Sequence, residues 1–123
     1  AVESVDLVPR EEAMAYSRRA DIVLMINPPI LRGAIPGKLF DAVASDRPIL
    51  SFGRGGMIER ILGETGAGRT VAEDDPEALR ATIGDLLKGS FTSPARTAWA
   101  AAHTREQSAR RMLELLDAVT RAG

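Results

Sequence analysis

Short apolar runs separated by segments of helical periodicity constrain this chain more than any other feature. Ile22-Val23-Leu24-Met25-Ile26 carries no polar residue on either face, the pattern of an interior parallel strand covered by helices on both sides. Pro48 to Phe52 and Thr70-Val71-Ala72 repeat it in shorter form, and Val5, Leu7 and Val8 suggest a first strand that ends at Pro9. Between the runs lie helical stretches. These are Glu11 to Ala20, with Ala13, Tyr16 and Ala20 on one side, then Lys38 to Ser45, then a helix built on Met57, Ile58, Ile61 and Leu62 that ends before Gly68. Strands alternating with helices at this spacing pair in parallel through right-handed crossovers. The pattern therefore predicts an α/β fold, an open and mainly parallel sheet of about four strands with flanking helices.

The C-terminal part is predicted to be helical. Asp75-Pro76 has the form of an N-cap followed by proline at the first helical position, with Leu79, Ile83, Leu86 and Leu87 inward and Gly89 closing the helix. Ser93-Pro94 opens another helix through Trp99. Thr104-Arg105-Glu106-Gln107 has the capping-box form ahead of Met112, Leu115, Leu116 and Val119. Trp99 and Met112 read as packing residues.

Composition excludes several classes of function. The 123 residues suffice for one domain with a real core, which one Trp, one Tyr and three Phe leave to aliphatic side chains. A net charge of -1, with no basic stripe interleaved with aromatics, argues against nucleic acid. With no cysteine and one histidine, His103, the chain has neither a disulfide framework nor a His/Cys metal set, so no metal and no cofactor are expected. No apolar run approaches the roughly 20 residues of a membrane span, and no signal peptide is visible. A cytoplasmic protein is expected. The chain opens on Ala1, and an apolar-alternating segment starts at once, so residues 1–123 read as a single partial domain, a C-terminal fragment of something longer.

In an open α/β sheet the ligand lies beyond the carboxyl ends of the strands, which places the loops at Pro9, Asn27 to Gly37 and Gly53 to Gly56 on one rim. Gly33 and Gly37 allow close backbone approach, and the free N–H groups where the Lys38 helix begins suit a phosphate. Lys38 adds a charge, and Asp41, one turn in, has the oxygens to accept hydrogen bonds from a sugar diol. The same spacing also describes an ordinary i,i+3 surface ion pair. Gly53-Arg54-Gly55-Gly56 is either an anion nest or a plain turn, and matches neither a dinucleotide fingerprint nor a Walker A loop. The run Glu73-Asp74-Asp75 reads as helix capping rather than a metal site. His103, with no acid nearby in sequence, reads as a surface or interdomain residue.

The order Gly33…Pro36-Gly37-Lys38-Leu39-Phe40-Asp41…Pro48-Ile49-Leu50, then Gly56…Ile58-Glu59…Gly66-Ala67-Gly68 and Asp75-Pro76-Glu77-Ala78-Leu79, resembles the C-terminal nucleotide-sugar-binding domain of GT-B glycosyltransferases, particularly the group-1, GT4-like family. Val8-Pro9…Glu12…Tyr16…Ala20-Asp21-Ile22 resembles the segment just upstream, so the likeness covers nearly the whole chain. The resemblance implies a Rossmann-like donor domain that binds a nucleoside-diphosphate sugar. It places Asp41 where the family has the second glutamate of its Glu-x7-Glu motif, the contact to the ribose hydroxyls. The first glutamate, which contacts the transferred sugar, falls at Gly33 and is missing. Backbone amides from Ile35 through Pro36 and Gly37 to Lys38 match the phosphate and sugar loop, where proline contributes no N–H, and Val8-Pro9 match the loop that packs on the base.

The family's strand order 3-2-1-4-5-6 implies that this chain holds strands 3 to 6. Two strand–helix units, with the Arg/Lys pair that grips the diphosphate, and the N-terminal acceptor domain lie outside it. The resemblance thus implies the donor-binding part of a glycosyltransferase, inactive alone, whose full-length form is cytoplasmic or peripheral at the inner membrane. A reading from a different class is a non-catalytic α/β interaction or dimerisation module, because an isolated fragment exposes apolar edges that favour a homo-oligomer. A receiver-type signalling domain lacks its acidic pair here.

Overall fold

The computed structural model describes residues 1–122. Three strands, β1 (Val23–Ile26), β2 (Ile49–Phe52) and β3 (Gly68–Val71), pair in parallel in the order β1-β2-β3. Val23 lies level with Ile49, and Ile49 with Gly68. The helices are α1 (Arg10–Arg19), α2 (Gly37–Ala44), α3 (Gly56–Thr65), α4 (Pro76–Lys88), α5 (Pro94–Ala102) and α6 (Arg105–Ala122), and a 3₁₀ turn at Pro29–Leu31 follows β1. The caps form where their chemistry puts them. Asp75 accepts from the Ala78 N–H at 2.9 Å, Ser93 from that of Arg96 at 3.0 Å and Thr104 from that of Gln107 at 3.1 Å.

Alternation along β2 divides the core. Ile49 joins Met25, Leu39, Val43, Ile58, Ile61 and Leu62 on the face covered by α2 and α3, with Trp99 of α5 packed against them. Leu50 faces the other way, onto Val71, Leu86 and Phe91 with α4 above. Gly68 allows β3 to pair this closely, since a Cβ there would run into the Ile49 carbonyl.

The structure corrects the sequence reading at the N-terminal side. Among the described residues there are three strands, and Val5 to Val8 is not one of them: Val5 and Leu7 are exposed. The segment pairs with no strand, and it runs into α1, whose first residue, Arg10, is bonded to Asp41 of α2. β1 consequently forms an edge rather than an interior strand, and Leu24 and Ile26 are 57% and 58% exposed. On α1 the buried residue is Met14, whereas Tyr16 is exposed. Leu87 and Met112, expected inside, are 58% and 57% exposed.

At the opposite end of the sheet a buried arginine closes the fold. Arg96 of α5 is 0% exposed, and its five N–H groups meet five backbone carbonyls. Nε donates to Val43 O at 2.9 Å, Nη1 to Phe91 O at 2.9 Å and Ala67 O at 3.4 Å, and Nη2 to Arg47 O at 2.8 Å and Ala42 O at 3.1 Å. Ala42 and Val43 lie in the last turn of α2, where the dipole favours a cation, and Ala42 O accepts from Ser45 as well as from Arg96. Burial lowers the Arg96 pKa from its ordinary value, and Asp46, with Oδ1 at 4.0 Å, partly opposes that shift. Asp46 adopts φ 61° in the tight turn from α2 to β2, a conformation aspartate tolerates better than most residues.

Candidate functional cleft

The loop leaving β1 returns at Pro36, which caps α2, so Gly37 and Lys38 begin that helix beyond the carboxyl end of the sheet. Along its outer face runs an open cleft of about 940 Å³. Val8 and Arg10 form one side, Gly37, Lys38, Phe40 and Asp41 the floor, and His103 to Glu106, at the corner between α5 and α6, the other side. Four residues expected at a ligand site, Val8, Gly37, Lys38 and Asp41, are therefore brought together. Pro9 caps α1, its carbonyl accepting from Glu12 and Ala13, and Gly33, Ile35 and Pro36 lie in the approaching loop outside the lining. A Cβ at Gly33 or Gly37 would meet nothing within 4 Å, so packing does not require glycine at either place.

The i,i+3 pairing of Lys38 with Asp41 does not form. Asp41 Oδ1 instead accepts from Arg10 Nη2 at 2.7 Å, which ties the start of α1 to α2. Glu106, the second acid of the cleft, is engaged by Arg110 at 3.2 Å. Among the described residues neither Lys38 nor Arg105 has a carboxylate within 4.0 Å, so the cleft keeps two unneutralised cations.

The sequence reading misses the aromatic stack that joins two lining residues, Phe40 and His103, through Trp99, which lies behind the lining. Phe40 stacks on Trp99 with centroids 5.4 Å apart, and Trp99 on His103 at 4.1 Å. His103 Nδ1 lies 2.7 Å from the Trp99 carbonyl oxygen, which fixes the ring on the cleft side of the stack. The signal available was the i,i+4 spacing of Trp99 and His103 at a helix end.

The expected rim divides in two, because the Gly53–Gly56 turn does not reach the cleft. Asn27, fully buried, donates from Nδ2 to Gly55 O at 2.9 Å and Gly53 O at 3.2 Å, and Met57 N–H donates to Arg32 O at 2.9 Å. Glu59 accepts from the Gly55 N–H and pairs with Arg54, filling the turn from within, so the turn is not open to an external anion. The Gly55 N–H bond holds the Glu59 carboxyl below its ordinary pKa, against a smaller opposing effect of burial and with help from Arg54. Asp75 caps α4 as expected, and no three His, Cys, Asp or Glu side chains among the described residues converge as a metal ion would require.

Among the described residues no helix is long and apolar enough to cross a membrane. Set against known proteins, the chain matches no family model, no curated protein and no solved structure.

Proposed function

We propose that the chain is the donor-binding part of a glycosyltransferase that uses a nucleoside-diphosphate sugar, and that it is not competent for transfer by itself. What carries this reading is one cleft holding two unneutralised cations, Lys38 and Arg105, beside a carboxylate at the start of α2. A diphosphate suits the cations and the exposed amides of the first turn of α2. Asp41 has a second oxygen, Oδ2, with which to accept a ribose hydroxyl while Oδ1 holds Arg10. The order of motifs from Gly33 to Leu79 supports the same assignment.

Titration of the chain with UDP, GDP and their sugar conjugates, followed by amide NMR, tests the site. Shifts centred on Val8, Gly37, Lys38 and Asp41 are expected, with affinity falling about tenfold in Asp41→Ala as a charge-assisted hydrogen bond is lost. Absence of binding, or binding untouched by that substitution, would sink it.

A further inference from the structure

We propose that His103 is a pH-dependent anion contact of the cleft, its Nε2 donating to the diphosphate when the ring is protonated and losing that donor when it is not. The inference rests on the cleft taking a diphosphate, as read above. The ring stands 6.0 Å, centroid to centroid, from Phe40, which lies two residues beyond Lys38, and it precedes Arg105 by two residues. His103 therefore shares the cleft lining with both unneutralised cations.

A neighbouring carbonyl sets its tautomer. The Trp99 oxygen, 2.7 Å from Nδ1, can only accept, so Nδ1 carries a hydrogen in the neutral and the charged ring alike. The proton that comes and goes is the one on Nε2, which has no hydrogen-bond partner among the described residues. The stack on Trp99, with 4.1 Å between centroids and 18° between planes, holds the ring in either state, because an indole face suits a cation as well as a neutral ring. Neutral, Nε2 offers a phosphate oxygen only a lone pair. Protonated, it offers an N–H and a charge.

The charges around the cleft leave this switching to His103. Asp41 and Glu106, the acids of the lining, are engaged by Arg10 and Arg110, and Arg111 of α6 donates to Ala102 O at 2.6 Å. Arg10, Lys38 and Arg105 belong to residue types that stay charged throughout the neutral range. Histidine is the side chain that ordinarily changes charge between about pH 5 and 8, and with no cysteine and one histidine the chain has only this one, besides the α-amino group of Ala1. An anion on Lys38 and Arg105 favours the charged ring, and by linkage the charged ring favours the anion by the same factor.

Calorimetric titration with dimethyl diphosphate, one methyl on each phosphorus so that its charge stays constant across this range, tests the contact. Binding about fivefold tighter at about pH 5.5 than at about pH 8 is expected at constant ionic strength. Net proton uptake on binding at about pH 7, read from buffers of different ionisation enthalpy, is expected in the unaltered chain. His103→Gln keeps an amide donor but cannot charge, so it is expected to bring the two affinities within about 1.5-fold of each other and to abolish the uptake. Binding with the same pH ratio in both proteins, or without proton uptake, overturns the contact and leaves the diphosphate reading standing. No binding at either pH overturns both. pH-dependent binding of this ester without binding of UDP, GDP or their sugars keeps the contact and removes the nucleotide reading.

Discussion

Two arginines at opposite ends of the sheet are used in opposite ways. Arg96, at the amino ends of the strands, has surrendered all exposure and matches every N–H to a carbonyl drawn from α2, the loops before β2 and β3, and the segment before α5. Arg10, beyond the carboxyl ends, makes one bond to a carboxylate, and both side chains stay substantially open to water at 55% and 36%. The first arrangement is structural, because every partner is backbone that another residue could not move to reach. The second is exchangeable, because a ligand can take either member of the pair. The contrast assigns the base of the sheet to stability and, under the proposed function, the mouth to recognition.

Arg96→Met breaks that contrast most severely. It withdraws the arginine's donors from five carbonyls, of which Ala42 O keeps Ser45 and Ala67 O keeps the Ile49 N–H, and the expected loss is about 3–5 kcal/mol in urea unfolding, enough to unfold a marginal domain. Arg96→Lys keeps a charge but has three donors on a point-like head, so the loss is expected to remain about 2 kcal/mol or more. Arg96→Met as stable as the parent would remove the base's claim to hold the fold. Gly68→Ala follows at about 3 kcal/mol, because its Cβ would meet the Ile49 carbonyl inside the β2–β3 pairing. Gly37→Ala at the mouth, by contrast, is expected to stabilise by a few tenths of a kcal/mol or more, since it has open space and a helical conformation.

The same division decides what was legible in the sequence. β1, β2 and β3 announce themselves because an apolar run between helix signals has few other uses, and the Asp75, Ser93 and Thr104 caps because their chemistry is local. Arg96 was invisible: its partners are backbone atoms as far as 54 residues away in sequence, and no side-chain pattern marks a carbonyl. Val5 to Val8 misled in the reverse way, since alternation shows that a segment suits a sheet without showing that it joins one, and the edge of β1 stays unpaired. At the cleft, Val8, Gly37, Lys38 and Asp41 were legible as a set, but Arg10 displaced Lys38 as the partner of Asp41. The Phe40–Trp99–His103 stack required knowing that α5 packs beside α2.

A smaller effect is expected at the Gly53–Gly56 turn, where Glu59 plays locally the role that Arg96 plays at long range. Its pKa is lower in the folded chain than in the unfolded one, so its stabilisation is present above the ordinary glutamate value near ~4.3 and is lost as pH falls through the folded value. Glu59→Gln is expected to cost about 1 kcal/mol at neutral pH, with the gap to the parent closing on acidification. Urea titrations at pH 7 and pH 3 check it, and a gap that widens in acid would reverse the assigned sign.

Arg10→Ala should move stability least and recognition most selectively. An exposed ion pair is worth under about 0.5 kcal/mol and is screened by salt, so unfolding is expected to change little. In the cleft the side chain acts in two opposing directions. It holds Asp41 Oδ1 and draws charge from the carboxylate, which leaves Oδ2 alone and a weaker acceptor for a sugar hydroxyl, and it adds a cation to a site that already holds Lys38 and Arg105. Removing it should therefore strengthen binding of an uncharged nucleoside by about twofold while weakening inorganic pyrophosphate by about fivefold, the latter more at low salt. Parallel titrations of the two ligands separate these effects. Equal changes for both would make Arg10 a simple latch on α1, and the mouth would then be as structural as the base.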